Sequence, residues 1–217
     1  TRPVVLVTGW SGSEDKHYSS QDENLRYTAW ELEKHGYIEG CNLFYVHGTS
    51  PKKFLFENAE VIRDQMCKFH KQFKDSYGFS PRFNMIGHSY GGLRSRAYLE
   101  SWMYRSACPS GTGTTDTVRV SNLITMGTPH AGEWGNLPLA TLLGIIGATS
   151  GDWPAIAELA PPVRTFQNSN STQPPGVRYT LIGGDARSQV LNFYPVLSLL
   201  FFRSPQACRL IQIFIAT

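Results

Sequence analysis

The sequence has few charged residues, no long apolar run and no clustered metal-binding side chains. Charged residues make up 17% of its 217 residues and the net charge is only +3. No dense Lys/Arg run or basic helix with interleaved aromatics occurs, which excludes a nucleic-acid partner. The longest apolar stretches, VLNFYPVLSLLFF (190–202) and LPLATLLGIIGAT (137–149), fall well short of the ~20 residues a membrane-spanning helix needs. The chain therefore reads as soluble. The four cysteines, Cys41, Cys67, Cys108 and Cys208, are widely spaced, and no Cys-x-x-Cys pair or Cys/His cluster offers zinc geometry. One or two disulfides are compatible with them, and spacing does not say which. Gly-x-Gly-x-x-Gly and a Tyr-x-x-x-Lys pair are both missing, so no nucleotide cofactor is expected.

Hydrophobic residues make up 41%, with 20 Gly and 13 Pro, a globular composition rich in turns. Strand-like runs recur at VVLVTG (4–9), NLFYVHG (42–48), FNMIGHS (83–89), VSNLITMG (120–127) and VRYTLIGG (177–184). Most are apolar nearly throughout, as parallel strands covered on both faces should be. Helical spacing lies between them. Leu25, Ala29 and Leu32 share a face, with Ser20 and Glu23 as a capping box and Gly36 as the stop. Ala59, Ile62, Met66, Phe69 and Phe73 form a second amphipathic set. Leu93, Ala97, Leu99, Trp102 and Met103 continue in helical spacing after the third strand. This alternation predicts one α/β domain over 1–217 with a mostly parallel sheet and helices on both faces. CPSGTGTTDT (108–117) and QNSNSTQPPG (167–176) read as polar surface loops.

One stretch carries chemistry. In IGHSYGG, Ser89 stands between Gly87 and Gly91, where an apolar strand passes into a helix. Ligands collect at the C-terminal ends of parallel strands. A sharp strand-to-helix turn there lifts a serine out of the sheet, with φ positive, and leaves no room for side chains two residues to either side. The backbone N–H of Tyr90, at the helix start, would then face any negative charge forming beside the serine.

IGHSYGG, the early LVTGW and ITMGTPHAG after the fourth strand together resemble the lipases and esterases of the α/β-hydrolase fold, from about residue 3 to 184. The resemblance implies a nucleophile at Ser89 and an oxyanion hole built from the backbone N–H groups of Tyr90 and Trp10. It departs from the family in having Thr8-Gly9 where His-Gly is usual. It implies a helical lid over 133–160, whose apolar run would cover an acyl pocket or touch a lipid surface; an ordinary buried helix is the alternative. Asp185, just after the fifth strand, stands where the acid can lie, and Asp152 is a weaker candidate. His88 is expected to pack against the sheet, and His130 to be a structural residue near the site mouth.

In this fold the order is Ser, then Asp or Glu, then His. The six histidines are at 17, 35, 47, 70, 88 and 130, and none follows Asp185. CRLIQIFIAT (208–217) reads as the last strand before the base. Either the sequence stops short of its catalytic histidine or it belongs to a homologue without a conventional triad. The expected function is hydrolysis of carboxylic esters, of small molecules or lipids, through an acyl-enzyme. The alternatives are a truncated or pseudoenzyme homologue that binds lipid or ester ligands, and acyl transfer. TRPVVLVTG reads as a strand and not as a secretory leader, which is compatible with a leader already removed. A secreted or extracytoplasmic setting is expected, and only there would the sequon Asn170-Ser171-Thr172, a tripeptide common by chance, matter.

Overall fold

The computed structural model describes residues 2–9, 23–130, 153–159 and 167–183. Five strands, β1 (Val4–Val7), β2 (Leu43–Tyr45), β3 (Arg82–His88), β4 (Arg119–Met126) and β5 (Arg178–Ile182), form one sheet in the order β2-β1-β3-β4-β5. Every pairing is parallel. The mostly parallel α/β sheet expected from the apolar runs is therefore present, with each strand inside its expected range or within a residue of it.

Both faces of the central strands are apolar because both are covered, whereas β5 at the sheet edge has no buried residue and leaves Leu181 exposed. Val5, Val7, Phe44, Phe83 and Met85 pack with Ala59, Ile62, Met66 and Phe73 of α2 (Leu55–Tyr77) and with Tyr98 and Leu99 of α3 (Tyr90–Leu99). Val4, Leu6, Leu43, Tyr45 and Ile86 pack with Leu25, Ala29 and Leu32 of α1 (Glu23–Lys34) on the other side. A fully buried aliphatic or aromatic side chain of this kind contributes about 1.5–3 kcal/mol of transfer free energy. The helix ends follow local chemistry. Gly36 and Gly78 take positive φ just beyond α1 and α2, and Glu57 accepts the Phe54 N–H at the start of α2 at 2.7 Å. Of the capping box expected at α1, Ser20 lies outside the described residues.

Two local expectations change. The periodic run from Leu93 to Met103 is two helices, because Ser101 accepts the Met103 N–H and starts α4 (Trp102–Arg105) afresh. Trp102 is consequently 61% exposed while Met103 is buried. The 108–117 loop is also more than a polar surface connection. Cys108 is buried and bonded to Cys67 of α2, and Thr112 is buried in a 3₁₀ turn. Cys41 is a free thiol. Of the 133–160 stretch expected as a lid, only α5 (Trp153–Leu159) is described. Its Ala155 and Leu159 are buried against Leu55, Tyr90 and Leu93, and the Ala155 N–H donates to the Pro51 carbonyl at 3.2 Å. Among the described residues no helix is long and apolar enough to cross a membrane.

Candidate active site

β3 is the middle strand of the five, and its C-terminal end hands the chain directly to α3 through Ser89. Ser89 has φ 52° and ψ −127° and is the one non-glycine with positive φ among the described residues. Such a conformation costs about 1–3 kcal/mol and persists only where the surroundings impose it. Here its own N–H is tied to the Met126 carbonyl of β4 at 2.9 Å, and its carbonyl accepts the Gly92 N–H at 3.1 Å.

The glycines around it are required by contact. A Cβ on Gly87 would lie 2.6 Å from Gly92 Cα, and one on Gly91 would lie 2.2 Å from the Thr8 carbonyl oxygen. Both neighbours are backbone and cannot swing away, so the start of α3 is pressed against the end of β1. Gly9 extends the same junction, since a Cβ there would come within 3.0 Å of Ser89 Cβ. The sharp turn expected at Ser89 is thus present, with the segment after β1 beside it. Tyr90 is buried at the first position of α3. Trp10, Asp185 and Asp152 lie outside the described residues.

Among the described histidines none is hydrogen-bonded to the Ser89 hydroxyl. His88 is buried, as expected of a residue packed against the sheet, and burial pulls its pKa down to about 4, so it is neutral at pH 7. His130 sits with Nδ1 3.0 Å from Arg96 Nη1 and Nε2 2.9 Å from Thr125 Oγ1. A guanidinium only donates, so Nδ1 accepts and the proton on Nε2 is given to the threonine. That pins His130 between α3 and β4. Arg96 also forms a two-pronged pair with Glu100, at 2.9 and 3.1 Å. His47 meets Gln65 through its backbone. His35 bonds the Glu31 carbonyl, and His70 is buried in α2. His17 lies outside the described residues.

Two charged residues at the site escaped the sequence reading. Arg94, fully buried in α3, donates from Nη1 to the Gly9 carbonyl at 2.8 Å, to the Thr8 carbonyl at 3.3 Å and to Thr49 Oγ1 at 3.2 Å. Glu158 of α5, also buried, accepts from the Tyr90 hydroxyl and the Leu55 N–H, both at 2.8 Å. The available signals were an arginine among apolar neighbours in LRSRAYL and a lone carboxylate in AIAEL. Among the described residues no group of three or more His, Cys, Asp or Glu side chains could hold a metal ion.

A strained serine at a strand-to-helix turn on the middle strand of a parallel sheet, with helices on both faces, places the chain in the α/β-hydrolase fold. Residues 2–150 match the family model described as "Putative serine esterase (DUF676)". The chain belongs to that family. Similar solved structures include phospholipase PlaB from Legionella pneumophila, at 18% identity and a TM-score of 0.57, covering 91% of this chain and 42% of that one. The metagenomic carboxyl esterase MGS0156 has 18% identity and a TM-score of 0.57, covering 87% and 51%. Esterase B from Lactobacillus rhamnosis, in a tributyrin phosphonate structure, has 14% identity and a TM-score of 0.50, covering 100% and 76%. At these identities the likeness is one of fold. The chain spans about half or less of the first two structures' length. No curated protein matches it in sequence.

Proposed function

We propose that this chain hydrolyses carboxylic esters of small molecules or lipids through an acyl-enzyme on Ser89. The observation that carries the reading is the enforced positive φ of Ser89 at the C-terminal end of β3, between glycines that no other residue could replace without moving backbone. In this reading the Ser89 oxygen bonds to the ester carbonyl carbon, and the carbonyl oxygen becomes an anion facing the N–H groups of Tyr90 and Trp10, with the N-terminus of α3 adding its dipole. The serine proton has to pass to a base and from it to the departing alcohol. Asp185 is the acid proposed to orient that base, which in this fold is a histidine later in the chain, and no histidine of this sequence follows Asp185. Water repeats the sequence on the acyl-enzyme, releasing the acid and restoring the serine. Membership of the serine esterase family and the esterase and phospholipase likenesses in fold support the reaction class.

Two further parts of the reading rest on separate observations. The Cys67–Cys108 bond supports a secreted or extracytoplasmic setting, where disulfides persist. Phe54 and Phe56, each about half exposed beside docked α5, support transient contact with a lipid surface.

The test is intact-mass analysis after incubation with a fluorophosphonate, alongside Ser89→Ala. One adduct per chain, formed slowly and lost in the variant, is expected. An adduct that survives in S89A, or a folded wild-type chain that never labels, would refute the proposal.

A further inference from the structure

Tyr90 is held from two sides by buried charges. Its hydroxyl donates to Glu158 at 2.8 Å, and the Arg94 guanidinium carbon lies 4.8 Å from its ring centroid, a cation–π distance. Tyr90, Arg94 and Glu158 are all nearly or wholly inaccessible to solvent. Burying a guanidinium and a carboxylate is costly, and apolar residues of similar shape commonly pack as well or better. What these two side chains hold is the junction around Ser89. Arg94 reaches from α3 to the carbonyls of Thr8 and Gly9, and Glu158 reaches from α5 to the residue that follows Ser89.

We infer that Arg94 and Glu158 are positioning residues for the oxyanion site, and that α5 acts as a fixed strut for the chemistry. The inference rests on the proposed esterase reading. Arg94 holds the carbonyls of Thr8 and Gly9, which end the segment after β1 that lies beside Ser89. Arg94 and Gly91 act on the same segment: the glycine lets α3 approach the Thr8 carbonyl, and the arginine binds that carbonyl and the next one. On the other side, Glu158 ties Tyr90 to the start of α2 through the Leu55 N–H. The Tyr90 side chain is therefore tied to α5 and α2, and the Thr8–Gly9 segment to α3. Neither Arg94 nor Glu158 needs to touch substrate for its loss to be felt, because displacing an oxyanion donor by about 1 Å costs on the order of 10²-fold in rate.

The experiment compares wild type, R94M, R94K, E158Q and S89A for hydrolysis of a p-nitrophenyl ester, fluorophosphonate labelling rate and inhibition by a trifluoromethyl ketone, whose serine adduct carries an oxyanion. R94M should lower kcat and the labelling rate by roughly 10–100-fold, with KM changed by less than about twofold and ketone affinity weakened by the same factor as kcat. R94K, which keeps a charge and three donors, should recover part of each loss. E158Q should show a smaller loss with the same pattern. If R94M does not fold, R94K and E158Q decide, because both keep a polar donor or acceptor near the original place. Folded variants with wild-type kcat and ketone affinity, or with losses confined to KM, overturn the inference. If S89A is inactive while the Arg94 and Glu158 variants behave as wild type, only this inference fails. If S89A keeps activity, or wild type neither turns over nor labels, the esterase reading fails with it.

Discussion

Replacing Cys67 and Cys108 together by alanine removes a cross-link that joins α2 to the loop after α4 across 41 residues of sequence. Both sulfurs lie in the cluster that covers one face of the sheet, where Cys67 is 2% and Cys108 5% exposed. Removing two buried sulfurs costs the native state some packing, and the cross-link itself acts on the unfolded chain, which regains the freedom of an open loop. For a closed loop of this length the chain-entropy relation gives about 4 kcal/mol at 25 °C. In a chain of this size each kcal/mol moves Tm by roughly 2–4 °C, so the variant should melt roughly 8–16 °C below the oxidised wild type. Thermal unfolding followed by circular dichroism, with and without reductant, measures it. Reductant should lower the wild-type Tm nearly as far and leave the double variant unmoved. The free thiol of Cys41 makes no cross-link and should not contribute. A Tm within about 2 °C of oxidised wild type would refute the reasoning, as would alkylation of Cys67 and Cys108 in native, unreduced protein.

Ser89→Gly should relieve the strained φ at the turn and raise stability by about 1 kcal/mol, the strain cost less the glycine's own entropy, while abolishing phosphonate labelling; a destabilised variant would show that the turn is not strained. The pH dependence of stability should carry the signature of His88, whose folded pKa of about 4 lies below the ordinary 6.5. Below pH 6.5 the unfolded state binds the proton first, so stability is lost as pH falls from 6.5 towards 4, by up to about 1.4 kcal/mol per unit. Burial lowers His70 as well and adds in the same direction. Denaturant titrations across that range should show a shallower slope in His88→Gln, and an unchanged slope would sink the assignment.

The sheet was readable because doubly covered strands announce themselves. Val4 and Leu6 face one helical layer, Val5 and Val7 the other, and all four are buried. The Ser89 turn was readable because steric exclusion leaves only glycine at fixed offsets. The partners that brace the turn were not, since Arg94 meets Gly9 across 85 residues and Glu158 meets Tyr90 across 68, with no local pattern linking them. Cysteine pairing escaped for the same reason: a 41-residue separation imposes no periodicity. The break between α3 and α4 was hidden by Trp102 and Met103, which keep the hydrophobic rhythm although only Met103 turns inward.

The strand order has a consequence for synthesis. β1 precedes the other four described strands in the chain, and its neighbours are β2, at Val4–Leu43, and β3, at Val4–Asn84. Among the described strands, the apolar Val4–Val7 segment can pair only with β2 and β3, which follow it by tens of residues, and the junction at Ser89 cannot close before β3 has emerged. Such a delay leaves an adhesive edge exposed in the nascent chain. The architecture that puts Ser89 at the middle of the sheet thus also makes β1 a natural client for chaperones that shield extended apolar segments.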